Sequence, residues 1–593
     1  MVLRFGICCF FMLIVYFPVI VSLFTITLAF FLIFKIIKIP LVKNNTVKVA
    51  VLMYEGLVSY LKNRYKIASI MVPVLFFVLF VALGWRAAFG FFIGAVVSGL
   101  LGCIGVLISV QADVKIAQIL RPRRNPLGEA AKKGAVQVSD ILFNASLAAG
   151  FLGASFGLLA VSGYYFLTGI SGLVALVFGT SLVCFLGQIT REVESKMHGN
   201  VAIAAEEKKI PENKSGGKRI AANKIKGHFG DLADLTVIFF ETYSLAVVAM
   251  MMLGILWYPK SPQFTLLPLF LASVLLLTSI ITSFFIGILK NKNSMTASYV
   301  WLVSAIFLPA LAFYPVIINI MSGQIVSATN IYFSCLAGFL ITAAIFLTGK
   351  YFNFKIGIRV AGMVTLLVLG GSVSSFLLVG MYGVALTALS MLSILGTPFV
   401  VYFSDQVKEK VASISKIHKM IFKGLMAVVL WLIYLQQIAN ISGMPVNVMV
   451  FDARVIAGLV VGGFLPCVFL VFLTKIIKKN TAMGLMQRML ILISISIIIP
   501  ILTGFILGAD ALGGLLAGVI FTGLCLSILM TMGTDILANI KRYLEARGLG
   551  GRRMFTRQIV VVMDNYKETT VLALESMVNI IGLVALLVVV FLI

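Results

Sequence analysis

Runs of about twenty apolar residues, separated by short charged segments, recur from one end of this chain to the other. Such a pattern cannot make a water-soluble surface: 61% of the 593 residues are hydrophobic and 11% are charged, with a mean hydropathy of +1.11. The fold class it predicts is an all-α polytopic membrane protein of about sixteen transmembrane helices. Their starts are expected near Phe5, Ile67, Ala88, Val136, Gly169, Asp231, Thr265, Ala297, Ala328, Ile356, Met381, Ile417, Val455, Met489, Ala511 and Thr570. The first run, from Phe5 to Ile37, is too long for a signal-peptide core and reads as a retained span.

Basic residues test the span count, because they should gather on one side of the membrane only if the parity is right. They crowd alternate connections: Lys35 to Lys66, Arg121 to Lys133, Arg191 to Lys226, Lys290 with Lys292, Lys350 to Arg359, Lys408 to Lys423, Lys475 to Arg488, and Lys541 to Arg557. The intervening connections carry little beyond Arg86, Lys260 and Arg454. Both termini are therefore expected on the non-cytoplasmic side. The net charge of +26 follows from these cytoplasmic loops and from contact with anionic headgroups, and no nucleic-acid partner is expected.

Cys8, Cys9, Cys103, Cys184, Cys335, Cys467 and Cys525 all fall in apolar runs without metal-type spacing and read as packing residues. Glycines four apart, Gly153 with Gly157 and Gly514 with Gly518, predict closely approaching helices rather than a nucleotide loop.

Several connections also carry familiar patterns. Tyr54-Glu55-Gly56 through Tyr65-Lys66, Gln111-Ala112-Asp113-Val114, Met381-Tyr382-Gly383-Val384 through Leu395-Gly396, Phe451-Asp452-Ala453-Arg454-Val455 and Asn539-Ile540-Lys541-Arg542-Tyr543-Leu544-Glu545 occur in the order found in the membrane-integral pyrophosphatases. The chain resembles that family along nearly its whole length. The resemblance implies one membrane-integral, pyrophosphatase-like domain over 1–593, with cytoplasmic segments near 191–228, 404–420 and 541–569. It also implies a homodimer in a prokaryotic cytoplasmic (inner) membrane that splits pyrophosphate with Mg²⁺ and moves protons or sodium ions.

That chemistry needs many converging carboxylates, because hard cations take oxygen ligands. The family's first aspartate motif falls near Lys196 to Lys209, where the acid positions hold Met197 and Val201 in one register or Gly199 and Ile203 in the other. Its second runs from Asn223 through Gly227 to Asp231 and keeps only the last acid. Near Pro398 an aspartate is replaced by Val401, with Asp405 not alignable to it, and Asn539 stands for another acid. Met563-Asp564-Asn565-Tyr566-Lys567-Glu568-Thr569 keeps its charges best. The surviving family-matched positions are Asp231, Asp564, Lys567, Glu568, Asn539 and Lys541, of which Asp231, Asp564 and Glu568 are the candidate metal ligands.

At the family's ion gate the matching residues are Gln188, Ile238, Glu241 and Asn579, so Glu241 alone stays ionisable, with Glu575 a new acid one turn before Asn579. Lys208, Lys209, Lys218, Arg219, Lys224 and Lys226 make a basic, candidate anion-binding stretch. His198, His228 and His418 lie in different cytoplasmic segments and are at most a weak metal candidate.

Three functions fit this pattern. The first is a degenerate homologue that serves as a membrane scaffold, assembly partner or binding subunit. The second is a pyrophosphate-driven proton or sodium pump with a reduced Mg²⁺ site. The third is a transporter or binder of an anionic, phosphorylated ligand, in which the cytoplasmic face meets that ligand or a protein partner. The missing carboxylates favour the first.

Overall fold

A computed structural model describes residues 2–39, 46–119, 129–207, 215–289, 294–324, 326–351, 357–395, 405–442, 452–478, 485–546 and 568–592. In some helical segments, among them 191–207, 215–234, 405–417 and 532–546, it describes the backbone without the side chains. The described residues form helices and no strand. In chain order these are α1 (Val2–Ile37), α2 (Thr46–Leu83), α3 (Trp85–Ile119), α4 (Glu129–Thr168), α5 (Leu173–Glu207), α6 (Ser215–Trp257), α7 (Gln263–Leu289) and α8 (Ser294–Met321). They continue with α9 (Ala328–Tyr351), α10 (Gly357–Val379), α11 (Met381–Leu395), α12 (Asp405–Ser442), α13 (Ala453–Lys478), α14 (Leu485–Leu507), α15 (Ala509–Ala546) and α16 (Glu568–Leu592).

Fourteen of these are long and apolar enough to cross a bilayer; the apolar parts of α10 and α11, Leu366–Val379 and Met381–Ser393, are shorter. The span expected near Ile417 has its apolar part at His418–Ile441, and a charged segment continues the helix back to Asp405. Single residues separate α2 from α3 and α10 from α11, and both, Gly84 and Gly380, hold a positive φ that favours glycine.

The chain divides into two compact units. The first comprises Met1–Tyr65, Val72–Thr180 and Lys224–Lys419. In it α1 packs on α4 and α7, and α9 packs on α8, α10 and α11. Gly153 and Gly157 of α4 let the backbone of α6 come close: a Cβ at Gly157 would lie 3.1 Å from the Phe240 carbonyl oxygen. Two of the family-like patterns serve packing here. The Tyr65 hydroxyl donates to the Gly99 carbonyl at 2.8 Å, and that of Tyr382 to the Phe264 carbonyl at 2.7 Å.

Lys115 of α3 is buried, and its ammonium donates to the carbonyls of Ile37 and Ile39, where α1 ends. The last carbonyls of a helix lack intrahelical partners and favour a cation. Lys115→Met should therefore destabilise the protein by about 1–3 kcal/mol, the penalty for stranding buried polar groups. A denaturant titration in lipid or detergent would read this, and an unchanged midpoint would remove the cap from the account.

The second unit comprises Lys66–Met71, Ser181–Asn223 and Met420–Ile593. Its tightest pairing is α13 against α15, and α16 packs on α14 and α15. Asp452, in another family-like pattern, accepts the Arg454 backbone N–H at 3.0 Å and so caps the start of α13. Trp431 Nε1 donates to the Gly513 carbonyl at 3.0 Å and the Tyr434 hydroxyl to that of Ala509 at 2.7 Å, which ties α12 to the beginning of α15.

Candidate functional site

Buried polar side chains in membrane spans mark where such a protein does more than pack, since each costs free energy unless it is paired or used. In the first unit the outstanding one is Glu241. It lies two turns into the span Leu235–Trp257 of α6 and is 1% exposed, and neither carboxyl oxygen has a hydrogen-bond partner among the described residues. One turn earlier stands Ile238, whose carbonyl receives the Thr242 hydroxyl. The same helix buries the Tyr243 and Ser244 hydroxyls without hydrogen-bond partners among the described residues.

His418 is also fully buried, at the start of the α12 span. Its Nε2 is 3.2 Å from the Thr342 hydroxyl of α9, and its ring packs against Phe346 with centroids 6.0 Å apart. Because the Thr342 hydroxyl already donates to the Gly338 carbonyl at 2.8 Å, Nε2 is assigned as the donor toward it. Nδ1 has no hydrogen-bond partner among the described residues. His418 is thus packed against α9, while the side chains of His198 and His228 lie outside the described residues.

In the second unit Gln188, Lys423, Glu575 and Asn579 are all buried. The Lys423 ammonium is 3.7 Å from a Glu575 carboxylate oxygen, and both side chains are almost wholly shielded. The two residues lie within the apolar spans of α12 and α16. Gln188 Nε2 is 3.3 Å from Cys184 Sγ, and its Oε1 has no hydrogen-bond partner among the described residues. Neither amide atom of Asn579 has a hydrogen-bond partner among the described residues. Residues 575 and 579 are one turn apart, so α16 presents the ion pair and the amide along one side.

Sequence reasoning named Glu241, Glu575, Gln188, Ile238 and Asn579 but counted Lys423 with a basic loop. The available signal was position: Lys423 lies inside an apolar run, where a charge needs a partner.

The candidate ligands Asp231 and Glu568, and Asn539 and Lys541, stand on described helices, but their side chains are outside the described residues. The same holds for Lys218, Arg219, Lys224 and Lys226, while Asp564, Lys567, Lys208 and Lys209 lie outside altogether. Among the described residues no three His, Cys, Asp or Glu side chains gather as a metal site. Of the buried acids described here, Glu575 has the wrong surroundings for Mg²⁺, since it faces a lysine.

A family model described as "Inorganic H+ pyrophosphatase" matches residues 23–360 and 473–588. The chain is 24% identical to a K⁺-insensitive pyrophosphate-energized proton pump of Methanosarcina mazei, over 95% of this chain and 97% of that one. It is 23% identical to a K⁺-insensitive pyrophosphate-energized proton pump of Chloroflexus aurantiacus, covering 90% and 87%. A putative K⁺-stimulated pyrophosphate-energized sodium pump of Clostridium tetani is likewise 23% identical, covering 90% and 91%.

Proposed function

The chain belongs to the inorganic H⁺ pyrophosphatase family, and from that premise we propose that it keeps the family's membrane bundle without its hydrolytic metal centre, as a scaffold, assembly partner or binding subunit. One observation carries this reading. Where the family's motifs need carboxylates to gather Mg²⁺ around pyrophosphate, this chain has Asn223, Gly227, Val401 and Asn539.

The retained patterns support it from the other side. Tyr65, Tyr382 and Asp452 make backbone hydrogen bonds between or at the ends of helices, so selection for the fold alone accounts for them. If Mg²⁺ binds, the acids left to hold it are Asp231, Asp564 and Glu568, and Lys541 and Lys567 would face a phosphate group. That set is smaller than the chemistry of a pyrophosphate with several metal ions requires. By family likeness the assembly is a homodimer, and the basic cytoplasmic stretch from Lys208 to Lys226 offers a surface to an acidic protein or an anionic ligand.

A second reading has its own observation. A carboxyl and an ion pair buried in spans, at Glu241 and at Lys423–Glu575, are costly to retain in a bundle that only packs, and they favour a surviving ion path. Proteoliposomes holding a pH-sensitive dye separate the two. Pyrophosphate with Mg²⁺ should leave the lumen pH unchanged; acidification that a protonophore collapses would establish the pump instead.

A further inference from the structure

We propose that the corner where α2 turns into α3 and α4 into α5 binds one anionic phospholipid, its phosphate on Arg86 and an acyl chain along α3. Four span ends fix the depth of this corner. The apolar spans Tyr65–Leu83 and Val136–Thr168 end here, and Trp85–Ile116 and Leu173–Thr190 begin here. Arg86 and Ser171, both exposed, therefore stand where hydrocarbon gives way to headgroups. The Tyr164 hydroxyl donates to the Arg86 carbonyl, and Gly172 abuts the same carbonyl so closely that a Cβ there would lie 2.5 Å from its oxygen. The base of the side chain is thereby held by α4 and by the start of α5.

The guanidinium is oriented without being satisfied. Nη1 donates to the Ser171 hydroxyl at 3.5 Å, while that hydroxyl gives its own proton to the Thr168 carbonyl at 2.8 Å. Cζ lies 5.5 Å from the Trp85 ring centroid. One long hydrogen bond among the described residues leaves most of the five donors to an outside acceptor, and a guanidinium fork matches two phosphate oxygens at once. The sequence holds no acid between Glu55 and Asp113 or between Asp140 and Glu192, so these four spans bring none to the level of Arg86. Beside the charge runs a track for an acyl chain. Trp85, Phe89, Phe92, Val96 and Leu100 recur at helical spacing on α3, and each is between 39% and 57% exposed. At 1.5 Å per residue they extend roughly 22 Å, more than half of a hydrocarbon core of about 30 Å. Lipid must cover this stripe. The arginine at its head, with no acid to receive a choline or ethanolamine cation, selects a headgroup of net negative charge.

Lipids with brominated acyl chains quench a tryptophan that they touch, which makes Trp85 the reporter. The full chain in detergent is titrated with dibrominated phosphatidylglycerol or dibrominated phosphatidylcholine, and the emission of Trp85→Phe is subtracted to leave that of Trp85. Quenching should need about tenfold less phosphatidylglycerol than phosphatidylcholine, the worth of one hydrogen bond to a charged group. Arg86→Gln should erase that preference, and Arg454→Gln, which removes an equal charge at the start of α13, should leave it intact. Equal quenching by both lipids in the wild type would overturn the assignment, as would a preference that survives Arg86→Gln or is lost with Arg454→Gln. The wild-type comparison decides the matter even if the Arg86 variant does not fold. Neither lipid titration depends on whether pyrophosphate is split.

Discussion

Lys423→Met should lose about 3–5 kcal/mol of stability, the cost of stranding a buried charge when its partner is removed. The carboxylate left behind is that of Glu575, inside the apolar span of α16 and shielded from solvent along with the ammonium it faces. Glu575→Gln should behave similarly, since it strands the ammonium. The double variant Lys423→Met/Glu575→Leu should recover most of the loss, because replacing both charges by apolar groups of similar volume is often neutral or stabilising. A double-mutant cycle by denaturant titration reads this coupling directly. Single variants within about 1 kcal/mol of wild type would mean that the pair is solvated and contributes as surface pairs do.

The second large effect is steric. Between α13 and α15 glycines meet the facing backbone in both directions. A Cβ at Gly458 would lie 2.7 Å from the carbonyl carbon of Ala511, and one at Gly514 2.8 Å from that of Val455. Backbone cannot swing aside as a flexible side chain can, so the helices must separate. Gly514→Ala should cost about 1–3 kcal/mol as overpacking, and Gly514→Leu more. Gly163→Ala on α4 is the control, since nothing lies within 4 Å of its Cβ position. Helix propensity there predicts a gain of up to about 1 kcal/mol. Equal effects at Gly514 and Gly163, measured as shifts in unfolding midpoint, would contradict the close crossing.

The bundle was legible in the sequence because lipid imposes a strict rule. Each crossing needs about twenty apolar residues, and basic residues mark alternate ends. The start expected near Met381 is where α11 begins, and the pair Gly514/Gly518 on α15 predicts a closely approaching helix though not which one. Less legible was α12, where charged residues continue the helix from Asp405 with no apolar signal to announce it. The same charge density hid Lys423 among loop residues, and only the fold brings Glu575 from the last helix to meet it. Glu241 was visible as a lone acid in an apolar run; that neither of its oxygens finds a hydrogen-bond partner among the described residues depends on the neighbouring helices. Fold and function also differ in kind. The patterns at Tyr65, Tyr382 and Asp452 make packing and capping hydrogen bonds, while the proposed loss of chemistry is read from the sequence alone, at Asn223, Gly227, Val401 and Asn539.

Phosphate release from pyrophosphate tests the central claim most directly. It should be measured on the purified chain in lipid at saturating Mg²⁺, with and without K⁺ and Na⁺, beside a variant carrying Asp231→Ala and Asp564→Ala. The proposed loss of the metal-gathering carboxylates predicts no turnover above that variant under any of these conditions. Turnover in the wild type that the double substitution abolishes would contradict the account and show that the reduced ligand set still splits pyrophosphate.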